Sequence, residues 1–367
     1  MQVDQTSLVR AWSWRRQGLS RGAHSLESAL HGVVAVYSSH PTAPLSLRAR
    51  SASESLDEFL DLERARRVVR LPAMRESIFL MPVETAPRIF AATRVPREKH
   101  AKRLKYAELS WDDYASIADA VARIATVPMT PEELEAEIPT SGKLMVAVKT
   151  LSREGLVLRV GGGIRGDALT YVSTRAWIGD DLEEVDPEES LAWLASEYVR
   201  VFGPVRTEDF AWWAGVTKTR ARHAMRAIET AELADGSLIL AEDLEEFERT
   251  EPLSGDEIAL LPKWDPYTMG YRSDNRRRFI DDVYLPVAYG KVSATRGDGL
   301  PLILRGGRAV ATWGHRFRGD ALHVRVSPFE PEQDLSWLTE PAFASVGVML
   351  GATSLTLEID HPVDDSP

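Results

Sequence analysis

The strongest constraint on this chain is an ordered run of elements that appears once clearly and again in outline: three helices followed by a strand pair. In residues 110–178, an apolar pattern of helical period runs from Trp111 through Ile117, Val121 and Ile124, and Pro128 stops it. Thr130 then stands at an N-cap with Pro131 at the first helical position and Glu133 two residues on, the pattern of a capping box. A third helix is expected from about Ser141 to Glu154, ended by Gly155. The strand-like runs LVLRV and ALTYVST follow, joined by GGGIRGD. This is the order of a winged helix, in which the third helix faces the DNA groove and the hairpin is the wing.

The same order recurs downstream. Residues 187–203 read as a helix, Thr207 is placed as the cap of a second helix containing Trp212 and Trp213, and Gly215 ends it. Thr217 opens a third helix over KTRARHAMRAIETAE, and a short strand pair follows around LADGSLIL. In the N-terminal third, SLVRAWSWRRQGL, SLESALHGVVAVYSS and SLDEFLDLERA each carry helical patterns, and RRVVRLPAM with SIFLMPV can form a hairpin. From about residue 258 the texture becomes β-rich, through VYLPVAYGKVSA, LPLILRGGRAVATW and LHVRVSP, with Gly306 and Gly307 as a two-residue turn. A short helix near residues 341–349 and the strand SLTLEID close the chain. The expected fold is α+β: three tandem winged helix-turn-helix units followed by a C-terminal antiparallel β-barrel. The boundaries are a first unit with its connector at 1–105, a second at 106–185, a third at 186–257 and the barrel at 258–367.

Composition narrows the chemistry. Asp and Glu number 55 against 44 Lys and Arg, a formal net charge of −11, so a polyanionic partner must be met by a local basic face. With no cysteine, disulfides, thiolate catalysis and zinc–thiolate sites are excluded, and a reducing cytoplasm suits the chain. No apolar run approaches membrane-spanning length, and the polar start does not read as a signal peptide. The eight histidines show no close ligand spacing, so no metal is expected.

Several segments in order resemble the AlkZ/YcaQ family of winged-helix DNA glycosylases. They are VVAVYSSHPTAPLSLRAR, GPVRTEDFAWWAGVTKTRAR, LLPKWDPYTMGYR and LPLILRGGRAVATW. The resemblance implies a C-shaped cradle for duplex DNA and removal of N-alkylated purines or unhooking of crosslinks; such a glycosylase needs no metal or organic cofactor, and a monomer is expected. It also marks a departure. Where active relatives carry a Gln-aliphatic-Gln or Gln-aliphatic-Asp motif, this chain has Tyr37, Ser38 and Ser39. The carried-over catalytic positions are Tyr37 and Ser39, whose hydroxyls would hold the attacking water. The alternatives are a non-catalytic DNA-binding or damage-recognition protein, and a protein-interaction scaffold. If VVAVY continues a helix, residues two apart do not share a face, and the run reads as buried packing.

Basic residues cluster against the acidic total. Arg94, Arg97, Lys99, Lys102, Arg103 and Lys105 concentrate in the connector between the first two units, opposed by one Glu98. Lys218, Arg220, Arg222 and Arg226 fall in the third unit's recognition-type helix. Arg305 and Arg308 flank the Gly-Gly turn as a minor-groove probe or an ordinary surface hairpin. Arg276, Arg277 and Arg278 stand near Asp281 and Asp282, where internal pairing is the alternative. GGGIRG at 161–166 satisfies a dinucleotide fingerprint in letters alone, because a strand and not a helix follows it. Trp193, Trp212 and Trp213 read as packing anchors, and Asp265 and Tyr267 as structural.

Overall fold

A computed structural model describes residues 4–38, 42–140, 142–161, 164–166, 168–290, 297–330 and 332–360. The fold mixes helices with largely antiparallel sheets. The N-terminal region runs through helices Gln5–Arg16 and Leu26–Gly32, strand β1 (Val36–Tyr37), helices Ala43–Arg48 and Leu56–Arg64, and strands β2 (Val68–Pro72) and β3 (Ile78–Pro82). Helices Ala86–Thr93 and Arg97–Tyr106 connect it to the next segment. There the helices Trp111–Ile124, Pro131–Glu137 and Leu144–Arg153 precede strands β4 (Val157–Gly161) and β5 (Leu169–Ser173).

Local rules explain these elements. The Thr130 hydroxyl accepts from the Glu133 amide while the Glu133 carboxylate accepts from the Thr130 amide, closing the capping box. Ser110 and Asp113 form the same reciprocal pair before Trp111. This segment has its own core, in which Ile117, Val121, Leu134, Leu144, Val148 and Leu151 pack together with Leu104 of the connector. Its hairpin nevertheless joins the N-terminal sheet, where Arg70 of β2 pairs with Arg159 of β4 in a five-stranded order β1-β3-β2-β4-β5.

Beyond it, helices Pro187–Phe202, Thr207–Ala214 and Lys218–Arg226 lead to the short antiparallel pair β6 (Thr230–Glu232) and β7 (Leu238–Leu240). Thr207 is the first helical residue and not the cap. Arg206 occupies the cap, and the Asp209 carboxylate accepts its amide. Thr217 does cap its helix, accepting from the Arg220 amide. The N-terminal helix packs here and not only on its neighbours in sequence. Gln17 donates to the Val201 carbonyl at 3.1 Å, and Trp12 clusters with Ile239 and Phe247.

The C-terminal region corrects two expectations. Strands β8 (Ile258–Leu261), β9 (Leu302–Arg305), β10 (Arg308–Arg318), β11 (Ala321–Pro328) and β12 (Ser354–Ile359) form an open sheet in the order β12-β11-β10-β9-β8. Among the described residues no sheet closes into a barrel, and β12 runs parallel to β11. The helix Glu340–Met349 is the cause, since a crossover helix returns the chain to the end at which β11 began. The run expected as a strand over VYLPVAYG is a helix, Leu285–Tyr289, with Pro286 in its first turn, where a missing amide costs nothing. The Gly306–Gly307 turn stands as expected: both residues have positive φ, and Arg305 pairs with Arg308. One continuous apolar core unites Trp14, Leu71, Val199, Phe202, Leu261 and Trp313, so the N-terminal, third and C-terminal segments pack as one body.

Candidate functional site

Tyr37 lies on a strand, which corrects the helical reading of VVAVYSS. Val36 pairs with Leu80 and Tyr37 with Phe79. Alternation then buries Val36 and leaves Tyr37 half-buried. The Tyr37 ring meets Phe79 edge-on at 5.7 Å and Trp264 at 4.8 Å between centroids. Ser38 faces the opposite way and is buried. Its amide donates to the Ile78 carbonyl at 2.7 Å, and its hydroxyl accepts from Arg70 Nε at 2.8 Å. Arg70 is ion-paired with Glu63, whose carboxylate also accepts the Gly161 amide. Burial pushes the Arg70 guanidinium down to about 10. Ser39 lies outside the described residues, as do His40 and Pro41.

Around Tyr37 the fold assembles groups from three distant parts of the chain. Trp264, at φ 61°, donates its indole N–H to Asp298 Oδ1 at 2.8 Å, and Lys263 Nζ lies 3.2 Å from the same carboxylate. Arg75 stacks over Trp212 at 4.2 Å, and Arg276 approaches the same ring at 5.7 Å and Tyr289 at 4.0 Å. Burial lowers the Arg75 guanidinium to about 10, the Arg276 cation adds to the shift, and the Tyr37 oxygen opposes it. Arg75 and Glu76 both have positive φ, at 54° and 59°. Gly215 makes that turn possible, because a Cβ there would stand 2.8 Å from the Arg75 amide nitrogen.

Trp264 is held by a buried ion pair next to it in sequence. Arg50 donates to both oxygens of Asp265, at 2.7 and 2.8 Å, and both side chains are almost wholly inaccessible. The Asp265 carboxylate also caps the Tyr267 amide. This pair ties the segment after Ala43–Arg48 to the WDPY segment.

Two basic clusters that are separate in sequence meet in space. Arg94 and Arg97 of the connector, Arg153 and His100 line a cavity of ≈ 540 Å³ together with Arg220 of the third segment. Arg97 also stacks on Trp111 at 4.6 Å. Lys99 and Arg103 turn instead toward Glu76, and Arg220 is paired with Glu188 at 2.9 Å. Lys102 lines a neighbouring hollow with Arg103, Lys149 and Arg153. Lys218 and Lys105 are exposed, while Arg222 lines a different hollow with Arg226.

The arginines at the Gly-Gly turn and at 277–278 are engaged internally. At the Gly-Gly turn, Arg305 donates to the Gly255 carbonyl at 2.8 Å and stacks on Trp337, and Arg308 is ion-paired with Asp281. Arg278 is buried, donating to Ser13 Oγ and to the carbonyls of Phe202 and Pro204. Arg277 pairs with Asp282 at 2.7 Å.

Sequence reasoning missed Arg75, Glu76, Arg153, Trp264 and Asp298. The Trp212–Trp213 doublet did hold a signal. Consecutive helical residues point about 100° apart, so one of the pair is free for a different face. Trp213 is buried among Tyr198, Phe202 and Phe210, whereas Trp212 is only partly buried and carries Arg75. Arg75 and Glu76 carry no comparable signal, being two charged residues in a strand connection.

Among the described residues, no group of three or more His, Asp or Glu side chains has metal-site geometry, and no helix is long and apolar enough to cross a membrane. The fold is similar to that of Streptomyces sahachiroi DNA glycosylase AlkZ, with a TM-score of 0.75 at 20% identity over 98% of this chain and 100% of that one. No curated protein sequence matches the chain. The family model "DNA glycosylase AlkZ-like" matches residues 31–352, and the chain belongs to the AlkZ-like DNA glycosylase family.

Proposed function

We propose that this protein binds duplex DNA along the connector cavity and excises an extruded, N-alkylated purine beside Tyr37, slowly. The observation that carries the reading is the convergence of Arg94, Arg97, Arg153 and Arg220, four cations against Glu98 and Glu154, on one cavity in an otherwise acidic chain. In this reading the helical segments are three winged-helix units, at 1–105, 106–185 and 186–257, that cradle the duplex with the C-terminal sheet region at 258–367. Arg97, Lys99, Lys102, Arg103, Lys218, Arg220 and Arg222 would contact phosphates. Arg305 and Arg308 would reach the minor groove only by exchanging their present partners.

The chemistry follows from the leaving group. A purine alkylated at N7 is already cationic, so its departure needs little general-acid help. The protein must hold a water against the anomeric carbon and stabilise positive charge on the sugar. Tyr37 and Ser39 hydroxyls would orient that water, and the Tyr37–Trp264 ring pair offers an aromatic surface to a base. A hydroxyl is a poorer acceptor for this purpose than an amide carbonyl or carboxylate. Losing one preorganised contact of that kind costs on the order of a hundredfold in rate.

One observation favours a second reading, duplex binding without excision. Neither an amide nor a carboxylate stands at Tyr37 or Ser39, where the relatives' motif would place the groups that hold the water. The test is a salt-dependent titration of labelled duplexes, with and without N7-methylguanine, combined with an excision assay. Steeply salt-dependent binding is expected, with weak excision that rises in Tyr37→Gln/Ser39→Gln. Absence of salt-dependent binding refutes the proposal. Binding without excision, in wild type and double variant alike, leaves the second reading in its place.

A further inference from the structure

The connection between β2 and β3 sends two adjacent charges in different directions. Arg75 goes to Trp212 near Tyr37, and Glu76 goes to the connector. The Glu76 carboxylate is in direct ion pairing with Arg103, 3.6 Å from Lys99 Nζ and 3.5 Å from Arg153 Nε. These cations come from two helices, Arg97–Tyr106 and Leu144–Arg153, that are far apart in sequence. Burial pushes the Glu76 carboxyl up, but Arg103, Lys99 and Arg153 outweigh it and hold it below its ordinary range. The nearby Glu154 carboxylate is already engaged, accepting from the Tyr114 hydroxyl at 2.6 Å. One carboxylate thus serves three cations.

We infer that Lys99, Arg103 and Arg153 form a seat for a single DNA-backbone phosphate, and that the Glu76 carboxylate fills this seat while DNA is absent. The inference rests on the duplex-binding reading above and names a site and a competitor within it. A carboxylate and a phosphodiester are both single-charge oxyanions that accept charge-assisted hydrogen bonds from guanidinium and ammonium groups. Exchanging one for the other keeps the local charge balance.

Position supports the assignment. Arg153 also lines the cavity containing Arg94, Arg97 and Arg220, and both Arg103 and Arg153 line the hollow containing Lys102 and Lys149. The seat therefore lies between two stretches of cationic surface. Glu76 sits on a turn whose two left-handed residues are held in a sparsely populated backbone region. Two of the connector cations are consequently compensated from within, and duplex binding must displace an intramolecular rival before it gains them.

The experiment is an anisotropy titration of a labelled 20-base-pair duplex with the full chain. The variants are Glu76→Gln, Glu76→Asn, Glu248→Gln and the pair Glu76→Gln/Arg103→Gln. Asn tolerates a left-handed backbone, so that variant stands in if Gln disturbs the turn. Glu248 is exposed and repeats the change in net charge elsewhere. Removing the rival anion is expected to tighten binding roughly fivefold, the scale of a partly exposed ion pair. The Glu248 variant should shift it by less than about twofold, and the gain should vanish when Arg103 is also replaced. Unchanged or weaker binding in both Glu76 variants, at unaltered melting temperature, overturns the inference. So does a gain that Glu248→Gln matches. If the wild type and every variant fail to bind, the duplex reading itself falls and the seat falls with it.

Discussion

Replacing Asp265 by Asn tests how the floor of the candidate site is held. Arg50 and Asp265 are respectively 1% and 0% exposed, and two hydrogen bonds of 2.7 and 2.8 Å join them. In Asp265→Asn the guanidinium keeps the Ser46 carbonyl at 2.7 Å and Gln17 Oε1 at 3.1 Å but loses its counter-charge. Breaking a buried pair by neutralising one partner costs about 3–5 kcal/mol. The Asn carbonyl can keep one bond to Arg50 or cap the Tyr267 amide, returning about 1 kcal/mol. The net expectation is a loss of about 2–4 kcal/mol, a sizeable share of a stability on the order of 5–15 kcal/mol. Urea denaturation should show a lower midpoint with an unchanged slope. A second arm separates charge from packing: Arg50→Met/Asp265→Leu removes both charges and should recover much of the loss, apart from the cap. A loss below about 1 kcal/mol in Asp265→Asn, or a double variant less stable than the single one, refutes the reasoning.

Two further outcomes follow from local geometry. Gly215→Ala must adopt φ +75° and place a Cβ 2.8 Å from the Arg75 amide nitrogen, so it should destabilise by about 2–4 kcal/mol and shift the Arg75–Glu76 turn. Its denaturation midpoint, compared with that of Gly236→Ala at similar φ and no close contact, isolates the clash. His100 is held below its ordinary value of 6.5 by burial, with Glu154 opposing and Arg103 adding to the shift. The fold therefore favours the neutral ring. Its contribution is complete above about pH 6.5 and is lost as the pH falls toward the depressed value, because the unfolded chain binds the proton first. Melting temperature between pH 7.5 and 5.5 should fall less in His100→Asn than in the wild type.

Much of the secondary structure was legible because it depends on neighbours in sequence. The capping box at Thr130, the cap at Thr217 and the glycine turn at 306–307 rest on interactions spanning a few residues, and the hairpin over residues 68–82 joins strands that are neighbours in sequence. The failures have local causes too. Two residues of β1 are too few for a period-two pattern to outweigh the helical texture before them, so the sequence around Tyr37 carries a helical pattern where a strand stands. In VYLPVAYG, β-branched residues outweighed Pro286, whose place in a first turn marks a helix. Among the described residues the C-terminal sheet stays open, and strand propensity carries no information on closure or on whether the last strand runs parallel to its neighbour.

The candidate site divides along the same line. From the sequence alone came the tandem helix–hairpin order, the acidic balance and the basic runs at 94–105 and 218–226, while attention fell on Tyr37, Ser38 and Ser39 through the resemblance. Only the tertiary structure brought Arg220 to the connector's cavity, set Trp264 against Tyr37, laid Arg75 on Trp212 and placed Glu76 among Lys99, Arg103 and Arg153. Charge and propensity are properties of a residue and its near neighbours. Which charges are free to meet a partner depends on contacts closed across tens to hundreds of residues by the packing of a shared core, and no window along the chain contains both halves of such a pair.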